Sequence, residues 1–141
     1  MKVLVTGATG FIGSWVVREL TAAGHLARVL VRKSSNLANL SALLAGSGGA
    51  QVERAEGDVL DAASVHKALL GCDGVIHTAG IAHFNPDDPQ MMHRVNTEGA
   101  EIVLAEGFRS AGSITVVPAN GMDGSPFHPQ AESLNQEGEP R

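Results

Sequence analysis

The chain contains no tyrosine, a single cysteine, a single tryptophan and three lysines, Lys2, Lys33 and Lys67. With no tyrosine, no phenol is available for general acid/base chemistry. Cys72 alone cannot close an internal disulfide, which suits a reducing compartment. No apolar run is long enough to span a bilayer. The apolar start after Lys2 is broken by glycines at 7, 10 and 13 and ended by Arg18 and Glu19, which excludes a signal-peptide core. A cytoplasmic location is therefore expected. Acidic residues exceed basic ones, and the net charge of −5 argues against non-specific binding to nucleic acid. His83, His93 and His128 stand at no metal-ligand spacing from His77, so no metal site is expected. The 141 residues, 43% hydrophobic and 18% charged, suffice for one globular domain with a real core.

The informative stretch is residues 3–13, which read Val-Leu-Val-Thr-Gly-Ala-Thr-Gly-Phe-Ile-Gly. A short apolar run breaks into Gly7, Gly10 and Gly13, then continues with Ile12, Trp15, Val16, Glu19, Leu20 and Ala23 at helical spacing. Strand, glycine turn and helix is the context in which such a motif binds a dinucleotide. Gly7 allows the tight turn, Gly10 lets the backbone approach a pyrophosphate, and Gly13 lets the helix pack against the strand. The helix N-terminus adds free N–H groups and a partial positive charge. No lysine follows the last glycine, so this is not a nucleotide-triphosphate P-loop. A glycine-rich turn with no ligand is the alternative.

Leu26–Val31 reads as a buried second strand ending in Arg32 and Lys33. An acidic residue near this point binds the ribose 2′-hydroxyl in NAD-preferring folds. Here cations stand in its place, followed by Ser34, Ser35 and Asn36, and a guanidinium matches the 2′-phosphate of NADP. NADP is the expected cofactor, with NAD possible; a solvated charge pair is the alternative for the two cations. Ala23 and Gly24 read as a helix stop. Leu37, Leu40 and Leu44 mark one face of a short helix closed by a glycine-rich loop at 46–49, and residues 51–55 a third strand. Asp61 is a good N-cap for the helix carrying Val65, Ala68 and Leu69. Residues 75–80 form a fourth strand and its end, in which His77 is a strand residue with a satisfied imidazole. Residues 86–112 read as one long helix opened by Pro86, Asp87 and Asp88, with Met92, Val95, Gly99, Ile102 and Val103 as its apolar stripe. A fifth strand follows at 113–117.

The run Thr-Gly-Ala-Thr-Gly-Phe-Ile-Gly at 6–13 closely resembles the cofactor loop of extended short-chain dehydrogenases/reductases. This is the epimerase/dehydratase group, and the flavour is nearest its dihydroflavonol-reductase-like and sugar-epimerase-like members. The resemblance runs over residues 1–117. It implies that Thr6, Gly7, Thr9, Gly10, Phe11, Ile12 and Gly13 hold the pyrophosphate. Asp58 and Val59 match an acidic-aliphatic pair that contacts adenine, simple turn capping by Asp58 being the alternative. Thr78, Ala79 and Gly80 match the segment beside the nicotinamide half. Arg94-Val-Asn-Thr-Glu-Gly99 resembles the signature in which Asn96 helps order the active site and Gly99 lets the helix approach the sheet. Together the alternating elements predict an α/β fold: a doubly wound, Rossmann-like parallel sheet of five strands in the order 3-2-1-4-5, in three αβα layers.

After the fifth strand the family carries a Thr-Ser-Ser-type segment and then Tyr-x-x-x-Lys, whose tyrosine is the acid/base and whose lysine lowers its pKa. Here residues 117–121 read Val-Pro-Ala-Asn-Gly, with no tyrosine anywhere and no lysine after Lys67. Residues 118–141 turn rich in Pro, Gly, Asn, Gln and Glu, with Met122, Phe127 and Leu134 as isolated apolar residues. That composition predicts an irregular or disordered tail, in which Ser125 and Ser133 take no catalytic role. The expected division is a cofactor-binding domain over 1–117 and the tail over 118–141. The change points to a reductase or epimerase interrupted near residue 118 by frameshift or truncation, an unrelated evolved tail being the alternative. Three functions follow: an oxidoreductase or epimerase by descent, inactive as it stands; a non-catalytic NADP(H)-binding module, sensor or partner subunit; or a fragment without function. The sequence names neither substrate nor oligomeric state.

Overall fold

In the computed structural model, which describes residues 1–45, 51–81, 88–110 and 114–116, strands and helices alternate. They are β1 (Lys2–Thr6), α1 (Phe11–Ala22), β2 (Leu26–Val31), a 3-10 turn (Ala38–Leu40) running into α2 (Ser41–Ala45), and β3 (Val52–Glu56). Then come α3 (Ala62–Leu69), β4 (Gly74–His77), α4 (Pro89–His93), a π-helical turn (Arg94–Glu98), α5 (Gly99–Ser110) and β5 (Ile114–Val116). The strands pair in parallel in the order β3-β2-β1-β4-β5, as expected. Strand order reverses between β1 and β4, the crevice where such sheets bind ligands.

The sequence of each strand matches its place. Central β1 is buried along four of its five residues and carries apolar side chains toward both faces, as a strand covered by helices on both sides must. β3 reads Val-Glu-Arg-Ala-Glu, and its alternating burial is that of an edge. On one face Leu4, Leu30 and Val75 pack with Val65 and Leu69 of α3 and Val103 of α5. On the other, Val5, Val29 and Val52 pack with Val17 of α1 and Leu40 of the 3-10 turn. At the far end of the strands from the crevice, Glu53 accepts from Lys2 Nζ and from Arg28 Nε, each at 2.9 Å. These cations hold the Glu53 carboxyl below its ordinary pKa. Arg28 also donates to the Ala68 and Leu70 carbonyls at the end of α3.

Local signals placed several boundaries. Gly24, at φ +80°, follows the end of α1, and the Asp61 carboxylate accepts from the Ala63 N–H at 3.1 Å to cap α3. Two expectations need correction. The helix expected over 86–112 is not one regular helix: Asp88 caps it by accepting from the Met91 N–H at 3.0 Å, Pro89 takes its first turn, and a π turn interrupts it. The apolar face of α1 also differs. Gly13 and Val17 are its buried residues, while Ile12 and Trp15 are about half exposed, because close approach to β1 brings the glycine side of the helix inward. Trp15 instead lies under the Arg18 guanidinium, 4.7 Å from its ring centre. The loop at 46–49, Pro86 and Asp87, and the whole of 117–141 lie outside the described residues.

Leu4 is fully buried in the central strand. Leu4→Ala should therefore lower unfolding free energy by about 2–5 kcal/mol. Urea melts would show this as a lower midpoint at unchanged slope, and a loss under about 1 kcal/mol would contradict the packing described.

Candidate functional site

Three pieces of backbone converge at the C-terminal end of β1. Gly7 adopts φ +69°, and a Cβ built on it would lie 2.5 Å from the Ala79 nitrogen, so no other residue fits where β1 turns past the end of β4. A Cβ on Gly13 would collide with the Gly7 carbonyl oxygen, which fixes how closely α1 approaches the turn. Gly10 caps α1 with no side-chain bond, and the Ser14 N–H donates to its carbonyl at 3.0 Å. The N–H groups of Phe11, Ile12 and Gly13 therefore have no acceptor within the helix. No acidic residue occupies that first turn to compete for an anion.

The adjoining segment after β4 is held from both sides. Thr6 is fully buried, and its carbonyl accepts from the Thr78 hydroxyl at 2.7 Å. Its own hydroxyl lies 2.6 Å from His77 Nδ1 and accepts from the Ala79 N–H at 3.4 Å. Burial lowers the His77 pKa and keeps the ring neutral. From the opposite side Asn96 acts as a peptide mimic. Its Nδ2 donates to the Ile81 carbonyl at 2.9 Å, and its Oδ1 accepts from the Ile81 N–H at 2.8 Å. Asn96 sits at the middle of the π turn, a distortion common at functional sites. Gly99 follows it, buried, and a Cβ there would lie 3.0 Å from Val59 Cγ2.

Between these walls lies a cleft of about 330 Å³. It brings together Gly7, Thr9, Gly10, Arg32, Asp58, Val59, Thr78, Ala79 and Gly80, all expected at a site from sequence. Ser35 also lines it, and so do Val95, expected only as part of an apolar stripe, and Met91 and Ile81, which no motif signalled. The other expected residues lie elsewhere. Thr6 supports the cleft from behind, Gly13 is buried, and Lys33 pairs with Glu56 at 3.4 Å on the surface. Phe11 and Ile12 line a second groove, of about 490 Å³, with Trp15, Leu20 and Ile76. That groove is almost wholly apolar, although Glu19 and His25 also line it, so the first cleft is the better site for a polar ligand.

Asp58 does cap its turn. Its Oδ1 accepts from the Leu60 N–H at 2.9 Å, while the residue still lines the cleft. Cys72 is buried, and burial pushes its thiol pKa up, so it is no candidate nucleophile. Among the described residues no three His, Cys, Asp or Glu side chains converge as metal ligands, and no helix is long and apolar enough to cross a membrane. His83 and His128 lie outside the described residues.

The neutral, buried His77 has a consequence for pH. The unfolded chain takes a proton at this histidine near its ordinary pKa of about 6.5, whereas the folded chain resists it to lower pH. The contribution of His77 to stability is thus complete above about pH 6.5 and falls as pH drops toward the lowered folded pKa. Melting temperature should therefore decline between pH 7.5 and 5 more steeply in the unsubstituted chain than in His77→Gln. Parallel profiles would contradict this.

A family model described as the NAD dependent epimerase/dehydratase family matches residues 3–136, running past the compositional change at 118. The chain is 36% identical over 133 residues to the sterol demethylase protein B of Methylococcus capsulatus, covering 94% of this chain and 38% of that protein. It is 34% identical over 113 residues to the dihydroflavonol 4-reductase of Zea mays, covering 79% of this chain and 32% of that protein. Among solved structures, the dTDP-glucose 4,6-dehydratase DesIV of Streptomyces venezuelae, with NAD bound, superposes with a TM-score of 0.70. It shares 28% identity, with 81% of this chain and 38% of that one covered. The chain thus spans about a third of the length of these relatives. It belongs to the NAD dependent epimerase/dehydratase family.

Proposed function

We propose that this member of the epimerase/dehydratase family binds a nicotinamide dinucleotide in the cleft between the glycine turn and the end of β4, with NADP(H) preferred to NAD(H). The backbone supports the fit: the cradle at Gly7 and Gly13 has no room for a Cβ, and the free N–H groups of Phe11, Ile12 and Gly13 suit a pyrophosphate. In this reading Thr6 and Thr9 shape the turn. Asp58 uses the carboxylate oxygen not engaged by Leu60 to accept from the adenine amine, and Val59 packs against the ring. Thr78, Ala79 and Gly80 border the nicotinamide half, with Asn96 keeping that segment in place. Bound there, a nicotinamide supplies or accepts hydride.

The observation that carries the cofactor preference is the placement of Arg32 and Ser35. Both line the same cleft as Gly10 and Asp58, beyond the end of β2. Ser35 is already oriented, since its hydroxyl accepts from the Arg32 N–H at 3.0 Å and its N–H donates to the Arg32 carbonyl at 3.0 Å. Arg32 in this position suits a 2′-phosphate and offers no acceptor to a ribose diol. Lys33, paired with Glu56, contributes long-range charge.

These 141 residues supply no tyrosine, and their last lysine is Lys67. They therefore offer no Tyr-Lys acid/base pair for a carbonyl or sugar substrate, and the chain alone should show no turnover. A non-catalytic NADP(H)-binding module or partner subunit is the second reading. The two share one test. Calorimetric titration should give saturable NADPH binding that Arg32→Ala weakens by roughly tenfold to a hundredfold, as for lost charge-assisted bonds, with NADH affected less than about threefold. Equal loss for both nucleotides would contradict the role of Arg32.

A further inference from the structure

The glycine turn is tied to a second element that its motif does not mention. The Asn39 carboxamide Nδ2 donates to the Thr9 carbonyl at 2.8 Å. A carbonyl oxygen can only accept, so the amide group facing it is the NH₂. The Thr9 carbonyl and the Gly10 N–H belong to one planar peptide. The Gly10 end of that plane is fixed by its bond to the Gly7 carbonyl at 3.0 Å, and Asn39 fixes the Thr9 end. The next peptide, Gly10–Phe11, carries the first free N–H of α1, so holding the Thr9–Gly10 plane restrains, through Gly10, where those groups emerge.

Asn39 has a firm base for this task. It lies in the 3-10 turn whose next residue, Leu40, is fully buried beneath α1 beside Val17. That turn begins where Asn36 Oδ1 accepts from the Ala38 N–H at 2.9 Å, directly after the Arg32–Ser35 turn that lines the cleft. One short segment therefore carries the cation at one end of the cleft and the brace on the glycine turn.

We infer that Asn39 is a positioning residue for pyrophosphate binding: it acts through the Thr9 carbonyl to hold the helix N-terminus in its binding orientation. The inference rests on the dinucleotide reading of the cleft. It concerns the pyrophosphate that NADH and NADPH share, and so differs from the role of Arg32 at the 2′-phosphate. Asn39 is exposed to solvent, which keeps the effect within that of a single hydrogen bond.

Asn39→Asp retains the shape and removes the donor, and Asn39→Ala removes the group without adding charge. Titrating the full chain and both variants with NADPH, NADH and adenosine 2′-monophosphate separates the roles, since the last ligand lacks a pyrophosphate. The expected result is about threefold to tenfold weaker binding of NADPH and NADH in both variants, with adenosine 2′-monophosphate unchanged and melting temperature nearly so. Unchanged dinucleotide affinity, or an equal loss for adenosine 2′-monophosphate, would overturn the inference and leave the reading of the cleft standing. No binding of any nucleotide by a cooperatively melting, unsubstituted chain would overturn both.

Discussion

The architecture depends on a steric constraint at one point, where the end of β1, the start of α1 and the end of β4 come together without side chains between them. Gly7 lies against the Ala79 backbone, and Gly13 lies against the Gly7 carbonyl. Any Cβ at either position must push two elements apart, so the constraint is set by excluded volume and owes little to attraction. What it creates is a helix N-terminus with free donors beside the crevice where strand order reverses. Polar contacts then stabilise that arrangement. Thr6 links β1 to the segment after β4, Asn96 closes the same segment from the opposite helix, and Asn39 braces the turn from the third side.

This arrangement gives the site a backbone frame and a polar edge. The frame is backbone, built from residues that cannot be larger and hydroxyls that have no freedom. The polar edge is the short stretch after β2, where Arg32 and Ser35 line the cleft. These 141 residues contain no tyrosine, and no lysine after Lys67.

Much of this was legible in the sequence because it is written in local rules. The strand Leu26–Val31, the stop at Gly24, the cap at Asp61 and the strand order each follow from residue type and spacing. The members of the cleft in the glycine turn and after β2 were readable for the same reason, and those after β4 from the resemblance to the family. Contacts between distant segments were not. Helical spacing in α1 marked Ile12 and Trp15 as apolar, but only the close approach of Gly13 to the turn decides that Val17 faces the core. The π turn and the pairing of Asn96 with Ile81 depend on where two elements meet, and no periodicity announces it. Nothing in residue type or spacing marks Asn39, whose bond to Thr9 exists only where two segments meet. The compositional break at 118 marks a change in apolar content, yet the family match continues to residue 136, so composition and descent do not share a boundary.

The most direct test of the central claim is residue-resolved: amide chemical-shift mapping of the chain during titration with NADPH. The account predicts that the largest shifts fall on Gly10, Phe11, Ile12 and Gly13, with accompanying changes at Arg32, Ser35, Asp58, Val59 and residues 78–80. Shifts confined to the apolar groove around Trp15 and Ile76, or no saturable shift in a folded chain, would contradict it.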